Sequence, residues 1–256
     1  MKKTIILVIA SRSEIYDKII NYYWIKFIKF INKINNNIKI YLVFGNDVNI
    51  DDFSIIKNNI IVANMKETYI PGILEKTVFG FEYIEDNMEY DYIFRTNLSS
   101  FIVHNNFQKF IEKLPNDNCY SGCKMILSKN DQYYKFIEDK DKEKEITYVS
   151  GAGIVFSKDI IKYIIANSNK LNKKVIDDVA LGILLKERVN LNCNNKLKCI
   201  RYSIVRESKL LKEDKIKYHF DRIKKSSQYH IRVCNKKNRL IDLSIIKYFA
   251  DNLYNI

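Results

Sequence analysis

No apolar run in this 256-residue sequence approaches the roughly 20 residues that a membrane-spanning helix requires. The expectation is therefore a soluble, cytoplasmic protein. Met1-Lys2-Lys3 followed by the apolar residues 4–10 imitates a signal peptide, but no small-residue cleavage pattern precedes Ser11-Arg12-Ser13-Glu14. The run reads instead as a first β-strand. Cysteine is sparse and unpaired in pattern: Cys119, Cys123, Cys193, Cys199 and Cys234 are odd in number and form no CxxC. That argues against a zinc site and for reduced thiols. No repeat, linker or nucleic-acid-binding motif is present, so residues 1–256 are expected to form one domain with no nucleic-acid partner.

What is present suits a packed core. Hydrophobic residues make up 47% and aromatic residues 13% of the chain, far from the composition of a disordered protein. The formal net charge is +13, from 43 basic and 30 acidic residues. Such an excess is compatible with a polyanionic small molecule or with peripheral association with an anionic membrane. Its main cause is more ordinary, because Lys, Ile, Asn and Tyr are all abundant, as an AT-rich coding sequence produces.

Residues 4–10 form a continuous apolar run with β-branched members, as in a strand buried on both faces of a parallel sheet. Over 16–33, Ile19, Ile20, Tyr23, Trp24, Phe27, Ile28 and Ile31 recur at helical spacing, with Lys26, Lys29 and Lys33 between them. This predicts an amphipathic helix with Trp24 in the core. Further strands are expected over 38–44, 60–63 and 90–95, and a helix from Pro71-Gly72 to about 85. The order implies βαβ units in an α/β, Rossmann-like, mostly parallel sheet flanked by helices. Ligands bind such sheets beyond the carboxyl ends of the strands, which singles out residues 11–13 and 96–100. The second half reads as a strand over 118–122, a solvated charged loop over 138–145, and a small-residue turn entering a strand over 148–157. Helices follow over 158–167 and 177–187, then an Asn/Lys-rich surface loop over 190–199 and a final helix over 241–254.

Four segments carry a resemblance. Glu67-Thr68-Tyr69 with Lys76-Thr77, then Tyr90-Asp91-Tyr92-Ile93-Phe94-Arg95-Thr96-Asn97-Leu98-Ser99-Ser100-Phe101, then Val149-Ser150-Gly151-Ala152-Gly153-Ile154-Val155-Phe156-Ser157, then Asp177-Asp178-Val179-Ala180-Leu181-Gly182 resemble the β-1,3-glycosyltransferase and fringe group in order and spacing. The resemblance spans about 4–185. It implies a GT-A fold, a UDP-sugar donor, transfer to a hydroxyl of a glycan, lipid or protein, and inversion at the anomeric carbon. Residues up to about 104 would form a nucleotide-binding half and 105–256 an acceptor and catalytic half.

Inverting transfer needs a carboxylate to take the acceptor proton and positive charge to hold the leaving diphosphate. Asp177-Asp178 opens a predicted helix, so one carboxylate, Asp177, is expected to satisfy the helix amides while the other faces the cleft. The family pattern makes Asp178 the base. Ser11, Arg12, Lys76, Arg95, Asn97, Ser99, Gly151, Ala152 and Gly153 are the expected donor contacts, the glycines by letting backbone approach a sugar. The family carries metal-holding aspartates where this chain has Asn97, Leu98 and Ser99, none of them anionic. The expectation is that no cofactor is required, or that Mn²⁺ or Mg²⁺ binds weakly with help from His230. Arg206, Arg232 and Arg239 are then candidates to hold the diphosphate. The competing reading is a sugar-nucleotide or glycan-binding protein of the same fold without turnover.

Overall fold

The computed structural model describes residues 1–47, 49–138, 146–186, 188, 213–235 and 238–256. In chain order its strands are β1 (Thr4–Ile9), β2 (Ile38–Gly45), β3 (Ile60–Ala63), β4 (Tyr92–Asn97), β5 (Ser100–Ile102), β6 (Tyr120–Ile126), β7 (Thr147–Ser157) and β8 (His230–Arg232). The α-helices are α1 (Glu14–Ile19), α2 (Ile25–Ile34), α3 (Gly72–Asn87), α4 (His104–Glu112), α5 (Lys158–Ala166), α6 (Asp177–Leu185), α7 (Glu213–Lys224) and α8 (Leu240–Tyr254). Six strands form one sheet in the order β3-β2-β1-β4-β7-β6. β3, β2, β1 and β4 run parallel; at the β4 edge β7 pairs antiparallel with β4, and β6 pairs antiparallel with β7.

The apolar run of β1 is explained by its two covered faces. Ile6 and Val8 pack with Trp24, Phe27 and Ile28 on one side. Ile5, Leu7 and Ile9 pack with Leu74, Phe81 and Ile84 of α3 on the other. The amphipathic helix appears as α1 and α2 joined through a π-turn at Ile20–Trp24. Trp24 is buried as expected, and its Nε1 also donates to the Leu98 carbonyl at 3.0 Å. That bond ties the core to the turn after β4.

Two differences from the sequence expectation matter for the site. Residues 148–153 are strand rather than turn, since β7 runs unbroken over Thr147–Ser157. Its register with β4 pairs Thr96 with Gly153. Ser150, Gly151 and Ala152 therefore overhang the carboxyl end of β4. The second difference is a separate two-stranded sheet, β5 with β8, in which Ser100 pairs with Arg232 and Ile102 with His230. The surface-loop expectation over 190–199 and the part of the charged loop over 139–145 lie outside the described residues.

Candidate active site

β1 leads to β2 on one side, and β4 pairs with β1 on the other. The crevice beyond their carboxyl ends is the place where an open α/β sheet receives ligands. A cavity of about 590 Å³ occupies it, within the usual range for a small-molecule site. Ser11 lines it from the end of β1, Asn97, Leu98 and Ser99 from the turn after β4, and Ser150, Gly151 and Ala152 from β7. Asp177 and Asp178 enter from α6 and Arg232 from β8.

The carboxylates divide their roles differently from the expectation. Asp177 does not cap α6, and Ile176, the N-cap residue just before the helix, supplies no side-chain cap. Instead Asp177 Oδ2 lies 2.6 Å from Arg95 Nη2, with both side chains buried. The contact is a charge pair out of line for a hydrogen bond, and that oxygen accepts none. Arg95 Nη1 donates to the Gly151 carbonyl. Asp178 accepts from Gly151 N at 2.8 Å and Val179 N at 2.9 Å. Burial and, next, the Asp177 charge push the Asp178 carboxyl up to about 6, against the backbone bonds and Arg95.

Gly151 is tightly enclosed. A Cβ there would stand 3.0 Å from Arg95 Nη1 and 3.3 Å from Asp178 Oδ2. At Gly153 a Cβ would stand 2.8 Å from His230 Cε1. The close approaches at these glycines are to the protein's own side chains. Ala152 lies on the cavity wall, whereas Gly153 is not among the lining residues.

Lys76 is buried at the wall with its three protons committed. Nζ lies 2.6 Å from the Ala10 carbonyl and 2.8 and 2.7 Å from the two Glu67 oxygens. An ammonium has only three donors, so Lys76 knits β1 to the segment before α3. Burial lowers its pKa, and Glu67 opposes that. Arg12 is also spent on protein, pairing with Asp17 at 2.7 Å and Asp52 at 2.8 Å, and it does not line the cavity.

Arg232 is the contrasting case. Its Nη1 is buried without a hydrogen-bond partner, and among the described residues it forms no ion pair. Burial lowers its pKa, and Arg239 and Arg95 add to that repulsion against the pull of Cys234 and Tyr16. Arg239 is compensated, its Nε lying 2.8 Å from Asp242 Oδ2. Arg95 Nε is a second buried donor without an acceptor. Arg206 lies outside the described residues.

The donor set at the β4 turn does not fit a divalent cation. Asn97 and Ser99 offer neutral oxygens, with Ser99 Oγ 3.4 Å from Asn97 Oδ1, and the Asp177 carboxylate is paired with Arg95. Among the described residues no group of three acidic, histidine or cysteine side chains is placed to hold a metal. His230 is buried behind the wall, its Nε2 3.3 Å from Thr96 Oγ1, and it does not line the cavity. Burial pushes it down to about 3, so the ring is neutral.

No curated protein matches the sequence. Among solved structures, the apo-form glycosyltransferase GlyE of Streptococcus pneumoniae TIGR4 is similar at 12% identity and a TM-score of 0.43. The match covers 98% of this chain and 64% of that one, so the chain spans less than two thirds of that protein's length. Residues 32–195, more than half of the sequence, match the family model for galactosyltransferases. That stretch holds Lys76, Arg95, Gly151, Asp177 and Asp178, while Ser11 and Arg232 lie outside it. The chain belongs to the galactosyltransferase family.

Proposed function

We propose that the protein is an inverting glycosyltransferase that moves a sugar from a nucleotide-sugar, a UDP-sugar in the first instance, to a hydroxyl acceptor. The observation that carries this reading is the pairing, in one cavity at the carboxyl ends of β1 and β4, of a raised carboxyl with an uncompensated guanidinium. The acceptor hydroxyl attacks the anomeric carbon, its proton passes to Asp178, and the bond to the diphosphate oxygen breaks. The leaving diphosphate takes the negative charge to Arg232, whose unpartnered Nη1 supplies a charge-assisted hydrogen bond. Ser11, Asn97 and Ser99 supply neutral polar contacts to the donor.

Donor binding is proposed to be independent of a divalent cation, because the turn that would hold one offers no carboxylate and a hard cation favours anionic oxygen ligands. That same substitution favours a second reading, a nucleotide-sugar-binding protein without turnover. A panel of nucleotide-sugars assayed for nucleotide release, with NMR of any glycoside formed, separates the two. Release with a glycoside of inverted configuration supports transfer. Binding without release across the panel supports the second reading.

A further inference from the structure

Asp177, Arg95, Gly151 and Asp178 form a short relay whose members contact one another in that order. Arg95 comes from β4, Gly151 from β7 and both aspartates from α6. One end of the guanidinium meets Asp177 at 2.6 Å and the other donates to the Gly151 carbonyl. The amide of that same glycine donates to Asp178 Oδ2 at 2.8 Å. Glycine fits between them without displacing either side chain, since an added Cβ would stand 3.0 Å from Arg95 Nη1 and 3.3 Å from Asp178 Oδ2.

We infer that Arg95 and Asp177 are a buried positioning pair that holds the Asp178 carboxylate through Gly151 and sets the pH range in which it accepts a proton. This inference rests on the reading of Asp178 as the base. Three observations support it. Asp177, although in the cavity wall, is occupied by Arg95. Arg95 fixes both the Gly151 peptide and the charge beside Asp178. Among the described residues, the other groups that face Asp178 from neighbouring elements are uncharged at neutral pH: Tyr69 before α3, raised to about 12, and Tyr120 on β6, raised further by its burial. Lys76 is neutralised by Glu67. Arg95 and Asp177 are therefore the charges that tune the base, with opposite signs. Arg95 favours the ionised form and Asp177 opposes it.

The consequence differs in sign from that of a donor ligand or a passive scaffold. Asp177→Asn removes the repulsive charge and leaves Arg95 uncompensated, and both changes favour ionised Asp178. Its titration should move to lower pH by about 1. Arg95→Lys keeps the charge but loses the two-pronged geometry. It should leave the titration in place and lower kcat by about tenfold to a hundredfold through misplacement of the carboxylate. Donor KM should stay within about twofold in both variants, as expected for an interaction made only in the transition state.

The experiment is a carbon-13 NMR titration of the Asp178 carboxyl in the native protein and both variants, beside pH profiles of transfer. A native midpoint near 6, a lower one in Asp177→Asn and an unmoved one in Arg95→Lys would support the pair. One-sided loss of a buried ion pair is damaging to folding, so an insoluble Asp177→Asn leaves the decision to the other two proteins. A native midpoint near the ordinary value of about 4 overturns the inference, as does an Arg95→Lys variant whose loss lies in donor KM. Asp178→Asn keeps the two claims apart. If it transfers at the native rate, the base assignment fails. If it is inactive while Asp177→Asn keeps the native titration, the base stands and the tuning pair falls.

Discussion

The two walls of the cavity carry charge in opposite ways. On the α6 and β7 wall each charged group has a partner, Asp177 in Arg95 and Asp178 in two backbone amides. On the β8 wall Arg232 has a buried nitrogen with no acceptor and two cationic neighbours. A buried charge without a counter-ion costs stability, so the arrangement makes sense when a ligand brings the missing negative charge. The compensated wall holds a carboxyl poised near neutrality, as a proton acceptor needs to be. On the proposed function, one wall serves the chemistry and the other binds an anion.

The sharpest way to break this contrast is to neutralise the poised carboxyl. Asp178→Asn should lower transfer by roughly 10²–10⁴-fold with little change in nucleotide affinity, read by turnover and calorimetry together. Full activity in Asp178→Asn with loss in Asp177→Asn would swap the two roles. Next in size is the pH dependence. The base acts only when ionised, and burial raises its pKa to about 6. As pH falls through about 6, kcat/KM should therefore decline, approaching about tenfold per pH unit. A limb near pH 4 would show a carboxylate in its ordinary range.

The opposite wall predicts an opposite pattern. Arg232→Met should weaken donor binding by about 10- to 100-fold, since a hydrogen bond to a charged group is worth about 1.5–3 kcal/mol. The same substitution should stabilise the unliganded protein, because it removes a charge without a counter-ion. A gain of about 1 kcal/mol would raise Tm by about 2–4 °C in a chain of this size. A fall in both affinity and Tm would mean that Arg232 is part of the scaffold. The smallest expected effect is that of chelation. Excess EDTA should leave transfer nearly unchanged, because the β4 turn offers a cation only the dipoles of Asn97 and Ser99. Complete loss restored by Mn²⁺ would show that a cation is held without those aspartates.

Much of the sheet was legible because its signals are local. Residues 60–63 form the predicted strand, and continuous apolar runs marked the doubly covered strands. The mostly parallel sheet followed from the alternation of strand and helix, and the nearness of residues 11–13 and 96–100 from its topology. Pairings over long separations were not legible. Ser100 meets Arg232 through β5 and β8, and each strand is too short to show a period. The role of Asp177 was misjudged for a related reason: an acidic residue opening a helix suggests a cap. Its partner Arg95 comes from β4, far away in the sequence. Gly151 and Gly153 were marked as places where backbone approaches a sugar, whereas the groups that crowd them in the structure are Arg95, Asp178 and His230, from distant strands and helices.

Both walls can be tested at once by a crystal structure of Asp178→Asn with an intact nucleotide-sugar, in the presence of EDTA. The diphosphate should lie within about 3 Å of the Arg232 guanidinium, with the anomeric carbon facing residue 178 and the nucleoside near Ser11. A nucleotide bound elsewhere, or a diphosphate that leaves Arg232 without a contact, would contradict the division of labour between the two walls.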